Sequence, residues 1–212
     1  MHWLLIPITY LLGSVSFAYL AGRVNGVDLR QHGSGNLGAT NAGRVLGGKW
    51  FAVVFVGDVL KGFLPVLAAH LLPCPAEQRP WLLLATAIAA ILGHVLTCFH
   101  GFKGGKAVAT SLGVLAALVW PVAVVGLGVW LIAWVVGWKL GKLGKAGAVG
   151  LASVIAALAV PPTRLFLTAA CPEPWSTDET PITVFLILLA ALVVVKHRAN
   201  LQKLFQPKPT AP

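Results

Sequence analysis

Apolar residues fall in seven long runs separated by short polar segments: Trp3–Gly22, Phe51–Leu72, Trp81–Phe99, Ala107–Trp120, Pro121–Val136, Gly147–Ala170 and Ile182–Val195. Most approach the roughly 20 residues that a helix needs to cross about 30 Å of hydrocarbon. The pattern predicts an all-α integral membrane protein. The fourth and fifth runs are short and only Pro121 separates them, so on length alone they read equally as two spans or as one bent helix.

Charge decides between six spans and seven. With the N-terminus outside and seven spans, the inner segments hold Arg23, Arg30, Arg44, Lys49, Lys103, Lys106, Lys139, Lys142, Lys145, Lys196, Arg198, Lys203 and Lys208. The outer segments hold Arg79 with Glu77, Glu173, Asp178 and Glu179. Cytoplasmic loops carry the excess of lysine and arginine, so seven spans with a cytoplasmic C-terminus fit. Six spans would put Lys139–Lys145 and the basic C-terminus outside.

Composition agrees. Hydrophobic residues are 58% of the 212, charged residues 10%, and the mean hydropathy is +0.84, which leaves too little polar surface for a soluble domain. The length predicts one transmembrane domain over residues 1–212. A net charge of +10 raises nucleic acid as a partner, but the cations sit between apolar runs and not on one basic face, so no nucleic acid is expected. No positive segment precedes the first run, which reads as a retained anchor. Cys74, Cys98 and Cys171 have no CxxC spacing. His94, Cys98 and His100 lie close in sequence, yet no fourth ligand accompanies them and no metal is expected.

The chemistry is expected in three inner segments. The first reads Gly33-Ser34-Gly35-Asn36-Leu37-Gly38-Ala39-Thr40-Asn41, with Arg44 beyond it. Its glycines permit a concave array of N–H groups that suits an anion. Ser34, Asn36, Thr40 and Asn41 add neutral hydrogen bonds and Arg44 a planar cation. The second, Lys103-Gly104-Gly105-Lys106, leads into an apolar run and reads as a phosphate site at a helix N-terminus. It is not a nucleotide-hydrolysing loop, because His100 and Ala107 stand where glycine and Ser/Thr would be needed. The third, Lys196-His197-Arg198-Ala199-Asn200, closes the last run and sets His197 and Asn200 on one helical face. Asp58 and Lys61 share a face within the second run and read as a structural ion pair. Arg164 reads as a cation snorkelling to the outer interface.

The succession GSGNLGATNAGR, then LGH…F-GFKGGK-AVAT, then KHRANL, resembles the bacterial acyl-phosphate-dependent glycerol-3-phosphate acyltransferases over nearly the whole chain. The resemblance implies seven spans, an active site facing the cytoplasm, and acyl transfer from acyl phosphate to the 1-hydroxyl of glycerol 3-phosphate, giving lysophosphatidic acid. Carried over by position, it implies that Ser34 and Arg44 hold a phosphate. Lys106 with Gly104 and Gly105 would hold phosphate in the second motif, and His197 with Asn200 match a functional pair. The chain departs from the family at Thr97, usually proline, at Ala107, usually glycine, and at Gly150, where a serine is expected. An acyl phosphate is already a mixed anhydride, so the chemistry calls for no ATP, metal, cofactor or covalent enzyme intermediate. The chain has no His-x4-Asp, the motif of the other common acyltransferase chemistry. Whether His197 acts as base or as phosphate ligand stays open. The competing class is a transporter of a phosphorylated anion, which would need polar groups near the midplane and not at one face.

Overall fold

The structure is a computed structural model that describes residues 1–141, 143–170 and 179–205. Lys142, Cys171, Glu173, Asp178 and Lys208, used in the charge and cysteine readings, lie outside the described residues. The described chain is helical: α1 Leu5–Ser14, α2 Phe17–Val24, α3 Ala39–Leu46, α4 Gly48–Leu71, α5 Arg79–Val95, α6 Val108–Leu118, α7 Trp120–Lys139, α8 Gly144–Ala170, α9 Glu179–Lys196 and α10 Arg198–Phe205. Five stretches are long and apolar enough to cross a membrane: His2–Val24, Gly48–Leu71, Arg79–His100, Trp120–Lys139 and Gly144–Ala170. Val108–Leu118 and Thr180–Lys196 are shorter apolar helices.

The first apolar run is not one helix. Val15 is extended (φ −63°, ψ 119°), and Ser16 restarts the chain by accepting the Tyr19 N–H on its side chain. The break frees the Val15 carbonyl, and Lys61 on α4 donates to it at 2.8 Å. Lys61 also pairs with Asp58 at 2.8 Å, and both are buried. The expected ion pair therefore forms, and it is tied to the interruption in the neighbouring helix. The fourth and fifth runs are separate helices. Val119 (φ −149°, ψ 69°) interrupts them, and Pro121 falls in the first turn of α7, where its missing N–H has no intrahelical partner to lose.

Small residues bring the helices together. A Cβ on Gly13 of α1 would stand 2.7 Å from the Ala90 carbonyl oxygen of α5, so the two backbones nearly touch, as in close transmembrane packing. The main core joins Val66, Leu82, Ala90, Ile91, Val114, Val122 and Leu186 from α4 to α7 and α9. A smaller one under the first loop joins Ala18, Leu29, Leu37, Ala42 and Val54. Outside these, large apolar side chains face outward, among them Ile132 at 68% and Leu188 at 63% exposure. A soluble protein rarely leaves so much contiguous apolar surface uncovered. Lipid is the matching solvent.

Arg164 does not snorkel. Ala148, Ala152, Ala156, Val160 and Arg164 recur every four residues on the buried face of α8, and the arginine is 3% exposed. Helical phase puts it inward, although its position near the end of the run argued for the interface.

Ala107 links the second loop to α6 with φ 61° and ψ 10°, the left-handed region. A side chain there costs about 1–2 kcal/mol. Glycine removes that strain but restores some unfolded-state freedom, worth about 0.5–1 kcal/mol. Ala107→Gly is therefore expected to stabilise the protein by about 0.5–1 kcal/mol, seen as a raised Tm in detergent. A lowered Tm would contradict this account of position 107.

Candidate active site

The first loop is built around Asn41. Its Oδ1 accepts the Ser34 N–H at 2.8 Å, and its Nδ2 donates to the Leu29 and His32 carbonyls at 3.0 Å each. The side chain is 1% exposed. Asn41 was expected to bind phosphate, but its amide is committed to the loop backbone, which it holds in shape. Gly33 and Gly35 take φ of +64° and +69°, which glycine adopts without strain. Below them Arg30 grips Asp28 through Nε and Nη2 and holds that carboxyl at about 2. Arg30 also lies over the Tyr19 ring at 5.6 Å, and Tyr19 packs on His100 at 4.3 Å, joining the first loop to the second. The loop ends in α3, whose first residues Ala39 and Thr40 lie one turn from Arg44.

The second loop folds back on α5. The Gly104 N–H donates to the Val95 carbonyl and the Gly105 N–H to the His94 carbonyl, both at 3.1 Å. The amide cradle expected of these two glycines is therefore not formed, since both amides already have partners. The glycines serve close approach instead: a Cβ on Gly105 would meet the His94 ring and stand 2.9 Å from the Leu37 carbonyl oxygen of the first loop. Lys103 is exposed. Lys106 turns the other way and donates to Asn200 Oδ1.

In the third segment α9 ends at Lys196 and α10 begins at Arg198, with His197 at the joint. His197 Nδ1 lies 2.8 Å from the Val193 carbonyl. A carbonyl only accepts, so Nδ1 carries the proton and Nε2 is left for other partners. His197 is 3% exposed. Its pKa falls below the usual histidine value because burial disfavours the cation; the Val193 bond opposes this, and the nearby Lys106 charge adds to the fall. Asn200 packs on Gly150, where a Cβ would come within 2.7 Å of the Asn200 Nδ2. The absent serine side chain at position 150 thus leaves room for Asn200. Ser153, one turn along, accepts from Trp130 Nε1 at 3.1 Å and donates to the Val149 carbonyl at 2.8 Å.

These segments meet at one cavity of about 470 Å³. Ser34, Asn36, Thr40, Asn41, Arg44, Lys106, His197 and Asn200 line it. Gly35, Lys103, Gly104 and Gly105 do not reach it. Most of the rest of the wall is apolar and comes from the spans: Leu112 and Leu115 of α6, Ala123, Leu127 and Trp130 of α7, Ala156 and Val160 of α8, and Leu189 and Val193 of α9. The motif reading missed this arm, because small and branched apolar residues inside a span look alike whether they line a cavity or pack on a neighbour. It also missed Asp58 and His94 as part of the wall. His94, Cys98 and His100 do not converge as ligands: His94 is buried beside Asp58 while His100 packs at a tilt against Tyr19.

A helical membrane protein with a cavity that is cationic and hydroxyl-lined at one end and mostly apolar along the rest is shaped for a ligand that is part phosphate and part lipid. The family model described as Glycerol-3-phosphate acyltransferase matches residues 3–207. A glycerol-3-phosphate acyltransferase of Geobacter sulfurreducens is 40% identical over 201 residues, covering 95% of this chain and 92% of that one. That of Aquifex aeolicus is 40% identical over 202 residues, covering 94% and 93%. Among solved structures, the glycerol 3-phosphate form of PlsY (YgiH), an integral membrane glycerol 3-phosphate acyltransferase, superposes with a TM-score of 0.75 at 38% identity, covering 96% of this chain and 91% of that one. Its lysophosphatidic acid form gives 0.72 at 36% identity, with the same coverage. The chain belongs to the glycerol-3-phosphate acyltransferase family and is an acyltransferase.

Asn41 offers a direct check on how the first loop is held. Asn41→Asp keeps the acceptor for Ser34 but sets an oxygen against the Leu29 and His32 carbonyls. Leaving such buried groups unpaired costs about 1–3 kcal/mol. A lowered Tm of that size is expected for Asn41→Asp and for Asn41→Ala. An unchanged Tm in both would show that the amide does not hold the loop.

Proposed function

We propose that this protein transfers a fatty acyl group from acyl phosphate to the 1-hydroxyl of glycerol 3-phosphate, releasing lysophosphatidic acid and inorganic phosphate. The observation that carries the reading is the joint cavity, with the three polar motifs at one end and an apolar arm at the other. The apolar arm suits the acyl chain of the donor, and the polar end suits two phosphates. The solved relatives, one in a glycerol 3-phosphate form and one in a lysophosphatidic acid form, support the acceptor and the product.

Ser34, Thr40 and Arg44, with the first turn of α3, take the glycerol 3-phosphate phosphate, through hydroxyls, a planar guanidinium and the helix N-terminus together. Asn36 faces the same space. Lys106 and the start of α6 take the phosphate of the donor, whose negative charge grows as the C–O bond to phosphate breaks. His197 presents Nε2 and accepts a hydrogen bond, or the proton, from the attacking hydroxyl. Asn200 orients Lys106 and offers its own amide to substrate. Gly35, Lys103, Gly104 and Gly105 act on the shape and charge of the loops from outside the cavity. The attacking alkoxide adds to the carbonyl, phosphate leaves with the bonding electrons, and no covalent enzyme intermediate is required.

The domain is one transmembrane acyltransferase unit over residues 1–212, with the N-terminus outside and the active face and C-terminus in the cytoplasm. The five long apolar helices and the two shorter ones support seven crossings, and the charge distribution supports the orientation. A bacterial inner membrane is the matching location.

Purified protein given acyl phosphate and labelled glycerol 3-phosphate is expected to form lysophosphatidic acid without ATP and in the presence of chelator. Undiminished turnover with acyl-CoA as sole donor would contradict the donor assignment. The lowered pKa of His197 sets a further expectation. Neutral imidazole is the form that accepts a proton, so kcat/KM falls only as pH drops through a value below the usual 6.5 or so. Lys106→Met removes a cation that depresses this pKa, so the acid limb of the residual activity moves upward. A limb that stays put, or an activity that falls as pH rises through neutrality, would contradict the role of His197 as acceptor.

A further inference from the structure

The chemistry above leaves unused a group of buried polar side chains beneath the second loop. Asp58 and Lys61 of α4 pair at 2.8 Å, His94 Nδ1 of α5 stands 3.7 Å from the same carboxylate oxygen, and Thr110 Oγ1 of α6 lies 3.0 Å from that Nδ1. Exposure is 3% for Asp58, 8% for Lys61, 6% for His94 and 0% for Thr110. Burying four such groups in the apolar core of a bundle costs free energy that a set of aliphatic side chains would not.

His94 holds the stretch that carries Lys106 from both sides. Before the lysine, its carbonyl accepts the Gly105 N–H at 3.1 Å, and the Gly105 backbone lies against its ring. After the lysine, its ring meets Thr110 in the first turn of α6. Between these two attachments lie only Lys106, the left-handed Ala107, Val108 and Ala109. Asp58 faces the ring from the α4 side at 3.7 Å, and Lys61, which also reaches the Val15 carbonyl, pairs with Asp58. A lysine side chain is long and flexible, so the direction of its amine depends on where the backbone delivers it.

We propose that His94, braced by Asp58 and Thr110, is a positioning residue for acyl transfer that acts by setting the backbone path through Lys106 and the start of α6. The inference rests on the reading that Lys106 works on substrate. His94 also borders the cavity, so the test must separate action through Lys106 from direct contact with substrate.

A double-mutant cycle makes that separation. His94→Leu keeps the bulk and removes Nδ1; His94→Asn can place an amide near the Nδ1 position, between Thr110 and Asp58. A displacement of the order of 1 Å at a catalytic group is enough to cost tenfold or more in rate, so His94→Leu is expected to lower kcat by about tenfold or more. Its KM for glycerol 3-phosphate, set mainly at the first loop, stays within about twofold, and His94→Asn recovers most of the rate. In a Lys106→Met background His94→Leu then lowers the residual kcat by less than about twofold, because the group it positions is gone. Thr110→Val supplies a milder variant should His94→Leu fold poorly, with a smaller kcat loss that also disappears in Lys106→Met. Additive losses would overturn the proposal and point to direct contact, and a fully active His94→Leu, or a His94→Asn no better than it, would overturn it as well. A fully active Lys106→Met would remove the site reading itself, which the other outcomes leave standing.

Discussion

A backbone carbonyl or N–H left without a partner in hydrocarbon costs several kcal/mol, so irregular chain in a membrane protein survives only where other protein groups satisfy it. Several interruptions of the helices here meet that condition through groups from elsewhere in the sequence. Lys61 covers the Val15 carbonyl, Thr97 Oγ1 donates to the Ser14 carbonyl at 2.7 Å, and the Tyr10 hydroxyl donates to the Leu96 carbonyl at 2.7 Å. Asn41 does the same for the first loop, and the end of α5 takes up the amides of Gly104 and Gly105. The price of the loops is thus a set of fixed cross-links, and those cross-links bring segments some 70 to 160 residues apart to one cavity.

The cavity follows from the same constraint. Where helix ends are interrupted, helix N-termini and cationic side chains converge; where the helices continue, mostly apolar side chains line the space between them. A ligand that carries charge at one end and a hydrocarbon chain at the other fits both halves without desolvating a charge into lipid. Arg44 and Lys106 bring positive charge to the polar end, and burial together with the Lys106 charge lowers the His197 pKa. In the proposed reaction a neutral imidazole beside a cation would accept a proton while the cation takes the charge of the departing phosphate.

Much of this was legible in the sequence, for identifiable reasons. The apolar runs stand out because a span needs an unbroken stretch, and the three motifs stand out because glycine and hydroxyl residues are rare between such stretches. What a side chain does inside a motif was less legible. Asn41 and Arg44 both look like phosphate ligands and both border the cavity, yet the Asn41 amide is taken up by the loop backbone. Gly104 and Gly105 looked like an amide cradle, but return of the loop onto α5 uses their N–H groups, a tertiary fact with no local signal. The break at Val15 was hidden because both halves of the run are apolar. Arg164 lies near the end of its run, which suggests the interface, whereas helical phase turns it inward. Ala107 and Gly150, visible as departures from the family pattern, acquire meaning only with φ at one and Asn200 packed on the other.

The central claim is that loops far apart in sequence form one site for one phosphorylated acceptor. In a cysteine-free background, single cysteines at positions 39 and 109 face the cavity from the start of α3 and from α6, while one at position 103 stands outside it. The rate of alkylation by a small thiol reagent, with and without glycerol 3-phosphate, tests the claim directly. The account predicts that the acceptor slows alkylation at both 39 and 109 and leaves 103 unchanged; protection at neither cavity position, or equal protection at 103, would contradict it.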